Sequence, residues 1–241
     1  MPLSRAAVMP SYGGLDPKQE MDLRLERQQA AKLSGQFGLE SDTATQKLEY
    51  SAELLRNLPH SFAGPAAVSA AHFWNLVAQI PFVQKFIPKG TMQDAAGTNI
   101  AVKNLVNQAI QGARAIYGSR MANMEVQLQK NEASPSIEMG VQAILALQRQ
   151  EDAKSAYFIQ RANDFGRFDG ANGNPLRFEA AYSRRFPLAN FAHDYAERNA
   201  PVYQLPKEVM TPASIKLLQE HPEYRDAAIE RFNYLPPDFR Q

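Results

Sequence analysis

A histidine beside an aspartate can act as a general base with the carboxylate that orients it, and His193-Asp194 is such a dipeptide. Adjacent residues of a helix point about 100° apart, so we do not expect these two side chains to form a hydrogen bond. A solvated helix face is the interpretation that we favour. None of the four histidines stands four residues from another, and neither HExxH nor CxxC occurs, so the sequence predicts no metal site and no catalytic histidine.

Two loops contain residues that could bind a phosphate or a calcium ion. Lys89-Gly90-Thr91 lacks the upstream glycine of a phosphate-binding loop, and the GxGxxG and GxSxG motifs do not occur. In residues 169–174 the oxygen-bearing side chains stand at positions one, four and six, whereas an EF-type loop needs one, three and five. We expect a glycine- and asparagine-rich turn before a helix, and we predict no cofactor.

Glu40-Ser41 is the remaining catalytic candidate, because lytic transglycosylases begin their catalytic motif with Glu-Ser. That motif continues into a glycine-rich, glutamine-containing segment that builds the sugar cleft. Residues 42–47 are instead typical of a helix start, in which Thr43 to Gln46 fit a capping box. Glycoside hydrolysis also needs a second carboxylate at a set separation, which the sequence alone does not identify. We therefore predict that the protein has no catalytic residues and is not an enzyme.

The composition excludes several further classes. The chain of 241 residues has no cysteine, which excludes a disulfide scaffold, thiolate zinc sites and a cysteine nucleophile. Its 26 basic and 25 acidic side chains give a net charge of +1, so no overall field attracts nucleic acid or an anionic membrane. No apolar run approaches eighteen residues, so we expect neither a membrane span nor a signal peptide. A soluble protein made in a reducing compartment is expected.

Helix-start signals recur along the chain. Apolar residues between 100 and 130 follow one another at three- and four-residue steps, and a second such stripe begins at residue 137. The segment 16–35 has a weaker pattern, in which Met21 and Leu25 align. Only Val202–Leu205 resembles a strand, so we predict an all-α fold: an elongated multi-helix protein with helical hairpins and little or no β-structure. The dipeptides that place a capping side chain before a proline are Asp16-Pro17, Ser134-Pro135, Asn174-Pro175 and Thr211-Pro212.

The chain divides into three predicted regions. Residues 1–62 form a flexible arm and two polar amphipathic helices, residues 63–133 form an apolar helical pair, and residues 134–241 form an aromatic-rich helical region. Aromatic side chains and arginines dominate protein interfaces, and they supply the predicted partner contacts. These contacts are Tyr12, Trp74, Phe82, Phe86, Arg184, Arg185, Phe186 and Phe191.

A local excess of positive charge lies between Lys85 and Arg120, where five basic residues face one acid, Asp94. The resulting charge of +4 could contact phosphates without sequence specificity. A solvated face or a protein contact remains the simpler interpretation. The candidate DNA contacts are Lys85, Lys89, Lys103, Arg114 and Arg120.

Residues 103–200 resemble a segment that recurs in large virion proteins of tailed bacteriophages. The tail FNYLPP at 232–237 is similar to the C-terminal ends of those proteins. The features that carry the resemblance are a long striped helix from Asn104 to Met124, Pro135, a second helix at 142–147 (QAILAL), the segment 157–165 (YFIQRANDF), a turn at Asp169-Gly170 and the closing segment 174–182 (NPLRFEAAY).

The resemblance implies a structural virion protein, an internal or ejection component near the portal and tail. The implied partners are portal, tail or ejection proteins and further copies of the chain, with weak non-specific DNA contact and membrane contact only after ejection. The protein would be synthesised in the host cytoplasm and reside in the virion, where its arm orders on a neighbour. The enzymatic parts of longer relatives are not carried over. The alternatives are a capsid or tail decoration or adaptor protein, a virion-associated peptidoglycan hydrolase, and a cellular helical adaptor unrelated to phage.

Overall fold

The computed structural model describes residues 17–62, 69–87, 95–131, 136–169 and 175–241. Within those ranges the chain is helical and contains no strand, which confirms the predicted all-α class. Short 3₁₀ turns lie at Ala200–Tyr203, Pro222–Tyr224 and Pro237–Phe239. The α-helices are α1 (Pro17–Phe62), α2 (Ala70–Gln79), α3 (Pro81–Gln84), α4 (Ala95–Tyr117), α5 (Asn123–Lys130), α6 (Ile137–Asp169), α7 (Pro175–Arg185), α8 (Leu188–Arg198), α9 (Pro212–Glu220) and α10 (Arg225–Phe232).

The helix starts follow the predicted proline signals. Thr211 Oγ1 accepts a hydrogen bond from the Ser214 N–H at 3.1 Å, which satisfies one of the donors that a helix start leaves open. Ser136 caps α6 in the same way by accepting from the Met139 N–H at 3.2 Å. The Ser134-Pro135 signal itself lies outside the described residues. The helices that begin at a predicted proline are α1 at Pro17, α7 at Pro175 and α9 at Pro212.

The prediction of two helices within residues 1–62 is wrong, because α1 runs unbroken for 46 residues. At a rise of 1.5 Å per residue it is about 69 Å long. The capping box predicted at Thr43 does not form, because residues 43–46 lie inside α1, where Thr45 Oγ1 donates to the Ser41 carbonyl at 2.9 Å. No residue between 42 and 47 stops a helix, so the local capping signal does not interrupt it.

Two further predicted elements differ from the structure. The helix expected to reach Met124 ends at Tyr117, because Gly118 adopts a φ of 64°, a left-handed conformation that terminates helices. The strand considered at Val202–Leu205 is replaced by a 3₁₀ turn, in which the Val202 N–H donates to the Asn199 carbonyl at 2.9 Å. The first difference occurs at a glycine, and the second occurs next to a proline.

Helix α6 lies at the centre of the fold and packs against α1, α4 and α8. Nearly every residue from Met139 to Gln150 is buried, as is the predicted stripe on α4. The main hydrophobic cluster contains residues from all three predicted regions. A second, smaller cluster joins α1, α6 and α7 through Phe37, Tyr157, Phe165, Phe178 and Tyr182.

The glycines of α6 offer a matched test of this packing. A Cβ at Gly140 would lie 2.8 Å from both Phe73 Cε2 and Val102 Cγ2, which are themselves buried and cannot retreat. Gly140→Ala is therefore expected to lower the free energy of unfolding by about 1–3 kcal/mol. Gly166→Ala on the same helix meets nothing within 4 Å and is expected to be neutral or stabilising by up to about 1 kcal/mol. Urea denaturation checks both values, and equal effects would contradict this packing.

Candidate interaction surfaces and buried polar clusters

The aromatic contacts predicted at residues 74, 82 and 86, on α2, on α3 and just after α3, already have intramolecular partners. Trp74, Phe82 and Phe86 are partly buried and pack against the main hydrophobic cluster. The Trp74 indole N–H donates to Thr98 Oγ1 at 3.2 Å, and its ring lies edge-on to Phe73. Their role toward a partner stays a prediction, and Tyr12 lies outside the described residues.

The end of α7 brings three of the predicted contacts together on the surface. Arg184, Arg185 and Phe186 are all exposed, and the Arg185 guanidinium lies 5.3 Å from the centre of the Phe186 ring. Phe191 is partly buried and lies edge-on to Tyr157 in the second cluster. The arginine pair and Phe186 therefore form an accessible patch, whereas Phe191 supports the core beneath it.

The first part of α1 extends away from both hydrophobic clusters. Every residue from Met21 to Gln29 is exposed, and packing of α1 begins only near Leu33 and Phe37. Met21, Leu23 and Leu25 are 61%, 37% and 48% exposed, and none of them belongs to either cluster. In the sequence, the four-residue spacing of Met21 and Leu25 indicated an apolar helix face. That this face is exposed follows only from the fold.

The candidate DNA contacts are exposed wherever the structure describes them. Lys103 and Arg114 project from the same face of α4, because eleven residues make just over three full helical turns. Arg120 lies in the link from α4 to α5, and Lys85 follows α3. Lys89 and Asp94 lie outside the described residues.

A fully buried ion pair joins α5 to α6. Arg149 Nη2 donates to the Glu125 carboxylate, and the two side chains are 1% and 0% exposed. Gln150 Nε2 donates both to Glu125 Oε1 at 3.2 Å and to the Ala109 carbonyl at 2.9 Å. Because both charges are removed from water, each depends on the other for its stability inside the protein.

A second buried polar cluster surrounds Asp152 of α6. Its carboxylate accepts hydrogen bonds from Ser51 Oγ, from Tyr203 Oη at 2.7 Å and from Gln148 Nε2 at 2.9 Å. Arg240 Nη2 lies 3.1 Å from Asp152 Oδ2. Burial raises the pKa of the Asp152 carboxyl, and Arg240 and the three donors oppose that rise. The cluster ties α1 and the C-terminal segment to α6.

Sequence reasoning did not single out either buried cluster. The signal was present, because Gln148 and Asp152 continue the stripe of α6 at the spacing set by Val141 and Ile144. A polar or charged residue at a core position of a helix indicates a partner from another element. Glu125 carried no comparable signal, since its partner Arg149 is 24 residues away.

Two carboxylates line a groove of about 260 Å³ between α1 and α6, namely Glu40 and Glu151. Glu40 accepts a hydrogen bond from Arg161, and Glu151 lies 2.7 Å from Lys154 Nζ. A larger cleft of about 490 Å³ borders Arg149 and Tyr203, and Glu138 is the one carboxylate among its described lining residues.

The predicted histidine pair has an intermediate environment. His193 Nδ1 lies 3.5 Å from Asp194 Oδ1, a separation that leaves this buried nitrogen without a hydrogen bond. The His193 ring lies edge-on to Tyr117 and is mostly buried, so the expected solvated helix face is correct for Asp194 but not for His193.

No group of three metal-ligating side chains occurs in the described ranges, and Gly170–Asn174 of the predicted turn fall outside them. None of the helices described is both long and apolar enough to cross a membrane.

Comparison with known proteins gave no match to a protein-family model, to a curated protein or to a solved structure.

Proposed function

We propose that this protein is a structural subunit of a tailed-bacteriophage particle, an internal or ejection component near the portal and tail, which assembles through the first part of α1. The observation that carries the assembly role is the exposure of Met21 and Leu25 on a helix that leaves the hydrophobic clusters. The sequence resemblance of residues 103–200 supports the phage setting.

The apolar side chains of this segment are arranged for docking. Met21 and Leu25 are four residues apart, and the exposed Leu39 lies five full turns beyond Met21, so the three share one side of α1. Phe37, which packs inward, points about 160° away from Met21. Burial of a large apolar side chain contributes about 1.5–3 kcal/mol, so a partner that covers this side gains substantial affinity.

A second copy of the chain suits this surface. Between residues 17 and 32 the sequence interleaves four basic residues with three acidic ones, so both signs of charge occur along the segment. A partner with a single sign of charge would meet repulsion on part of the helix, whereas a second copy supplies both signs. A two-fold symmetric interface uses the same patch on both subunits, and two copies of α1 supply two identical patches. Self-association through α1 is therefore the assembly contact that we propose.

The double variant Met21→Lys/Leu25→Lys tests this contact. We expect the wild-type protein to show a mass above 26.9 kDa that rises with concentration in light scattering, and the variant to remain at the monomer mass. Neither side chain belongs to a hydrophobic cluster, so at a concentration where wild type is monomeric the variant should have the same melting temperature as wild type. Leu217→Lys, at an equally exposed leucine of α9, is the control and should associate like wild type. A wild-type monomer at every concentration would contradict the proposal.

The position in the particle separates this proposal from a decoration or adaptor role. Particles that contain a labelled copy of the protein can be triggered to release their DNA in vitro. Departure of the label with the DNA supports an ejection component. Retention on the emptied shell supports a capsid or tail decoration or adaptor protein instead.

A virion-associated peptidoglycan hydrolase is the second candidate, because Glu40 and Glu151 line one groove. Zymography on peptidoglycan tests it directly. Clearing that disappears in Glu40→Gln would establish this alternative. We expect no clearing, since Arg161 and Lys154 hold these carboxylates in ion pairs.

A further inference from the structure

The described segment 95–131 presents positive charge without an exposed carboxylate of its own. It contains four basic residues, all exposed, and a single acid, Glu125, which is fully buried. Because Arg149 neutralises Glu125 inside the protein, that acid does not offset the outer charge. We define the α4–α5 basic face by Lys103, Arg114, Arg120 and Lys130.

The basic residues of this face are not engaged in ion pairs within the described part of the chain. Elsewhere many cations are paired, as Arg161 is with Glu179 and Arg231 with Glu208. Two carboxylates lie beside α5: Glu197, which accepts hydrogen bonds from Asn123, and Glu138, which lines the same cleft as Asn123. The four cations are therefore available to an external anion.

The geometry of α4 suits an extended anion rather than a compact one. Lys103 and Arg114 lie about 16 Å apart along the helix axis, which corresponds to roughly five base-pair steps of DNA. Asn107 and Gln111 lie between them on the same side, and their amide groups can donate hydrogen bonds to phosphate oxygens. Ile100 is the one large exposed hydrophobic residue of α4, which disfavours insertion into a lipid surface.

We propose that the α4–α5 basic face binds the phosphodiester backbone of double-stranded nucleic acid without sequence specificity. Neutralisation of phosphates by lysine and arginine releases condensed counterions, and this release supplies the affinity. The activity goes beyond the proposed assembly through α1, since it uses a different helix and different side chains. Either function can therefore fail in experiment without the other.

Fluorescence anisotropy with a mixed-sequence DNA duplex of about 30 base pairs tests the proposal. Four phosphate contacts predict that the wild-type association constant falls about 150-fold between 50 and 200 mM salt. In Lys103→Gln/Arg114→Gln two contacts remain, and the same change in salt should lower the constant only about 12-fold. Binding of the variant at 50 mM salt should also be weaker than that of wild type.

Lys216→Gln/Arg231→Gln is the matched control, because it changes the net charge equally but removes exposed cations that already have carboxylate partners. It should keep the wild-type salt dependence. Failure of the wild-type protein to bind at 50 mM salt would overturn the proposal, as would an unchanged salt dependence in Lys103→Gln/Arg114→Gln. Tighter binding to vesicles that contain phosphatidylserine than to the duplex would also overturn it.

Discussion

Replacement of Glu125 by alanine is expected to lower the free energy of unfolding by about 3–5 kcal/mol. The substitution leaves the Arg149 guanidinium charged, 1% exposed and without its carboxylate partner. It also removes one acceptor of Gln150, whose side-chain amide is buried in the same place. Urea denaturation followed by circular dichroism measures the loss.

Two further variants show whether the loss comes from an unpaired charge. Glu125→Leu/Arg149→Met removes both charges and should recover most of the lost stability, because apolar residues of similar size can replace a buried ion pair. Glu197→Ala removes a neighbouring glutamate that is only partly buried, and it should cost less than about 1 kcal/mol. A loss below about 1 kcal/mol for Glu125→Ala would contradict a buried ion pair.

Asp152→Ala is expected to cost about 3 kcal/mol, because it leaves several buried donors without their acceptor. Ser51, Gln148 and Tyr203 each lose a hydrogen bond to the carboxylate, and Arg240 loses its ionic partner. Asp42→Ala, at an exposed position of α1, is the matched control and should change stability by no more than about 0.5 kcal/mol. Equal effects of the two substitutions would contradict the role that we assign to Asp152.

The pH dependence of stability gives an independent check on Asp152. Burial raises the pKa of this carboxyl in the folded state, so over the window above its ordinary pKa the folded protein binds more protons than the unfolded chain. The contribution of Asp152 to stability therefore falls as pH rises through that window. Asp152→Asn lacks this contribution, so the stability of wild type minus that of the variant should decrease as pH rises. A difference that increases with pH would indicate a lowered pKa instead.

The two buried clusters connect the interior of the fold to its surfaces. Glu125 is held inside by Arg149 and Gln150, and the face formed by α4 and α5 is left with positive charge. Asp152 fixes α1 against α6 through Ser51, so α1 leaves the body of the protein in a defined direction. The exposed apolar residues at the start of α1 and the α4–α5 basic face therefore lie on different helices of the same fold.

The helical class and many helix starts could be predicted from sequence because they depend on local signals. Proline at a first helical position and a three-to-four-residue apolar spacing act within one or two turns, and Pro175 and Pro212 begin helices as predicted. The unbroken length of α1 was not predicted, because the capping residues near Thr43 look the same whether a helix begins there or passes through. Propagation of an existing helix is easier than initiation of a new one, so the helix continues.

The candidate surfaces were predicted less well, because exposure depends on residues far away in sequence. Trp74, Phe82 and Phe86 are residue types that are common in interfaces, yet the fold packs them against the core. The buried pairing of Glu125 with Arg149 required that α5 and α6 pack together, and no local pattern specifies that contact. The positive charge at Lys103 and Arg114 was visible in the sequence, whereas the removal of Glu125 from the surface was not.

Cross-linking through a single introduced cysteine measures the proposed assembly contact most directly. The chain has no cysteine, so a short bis-maleimide can join Leu25→Cys molecules only between two copies. We predict rapid formation of a covalent dimer in Leu25→Cys and little in Leu217→Cys, whose leucine is equally exposed on α9. Equal, slow cross-linking of the two variants would show that the first part of α1 does not bring two copies together, and it would contradict the proposed assembly role.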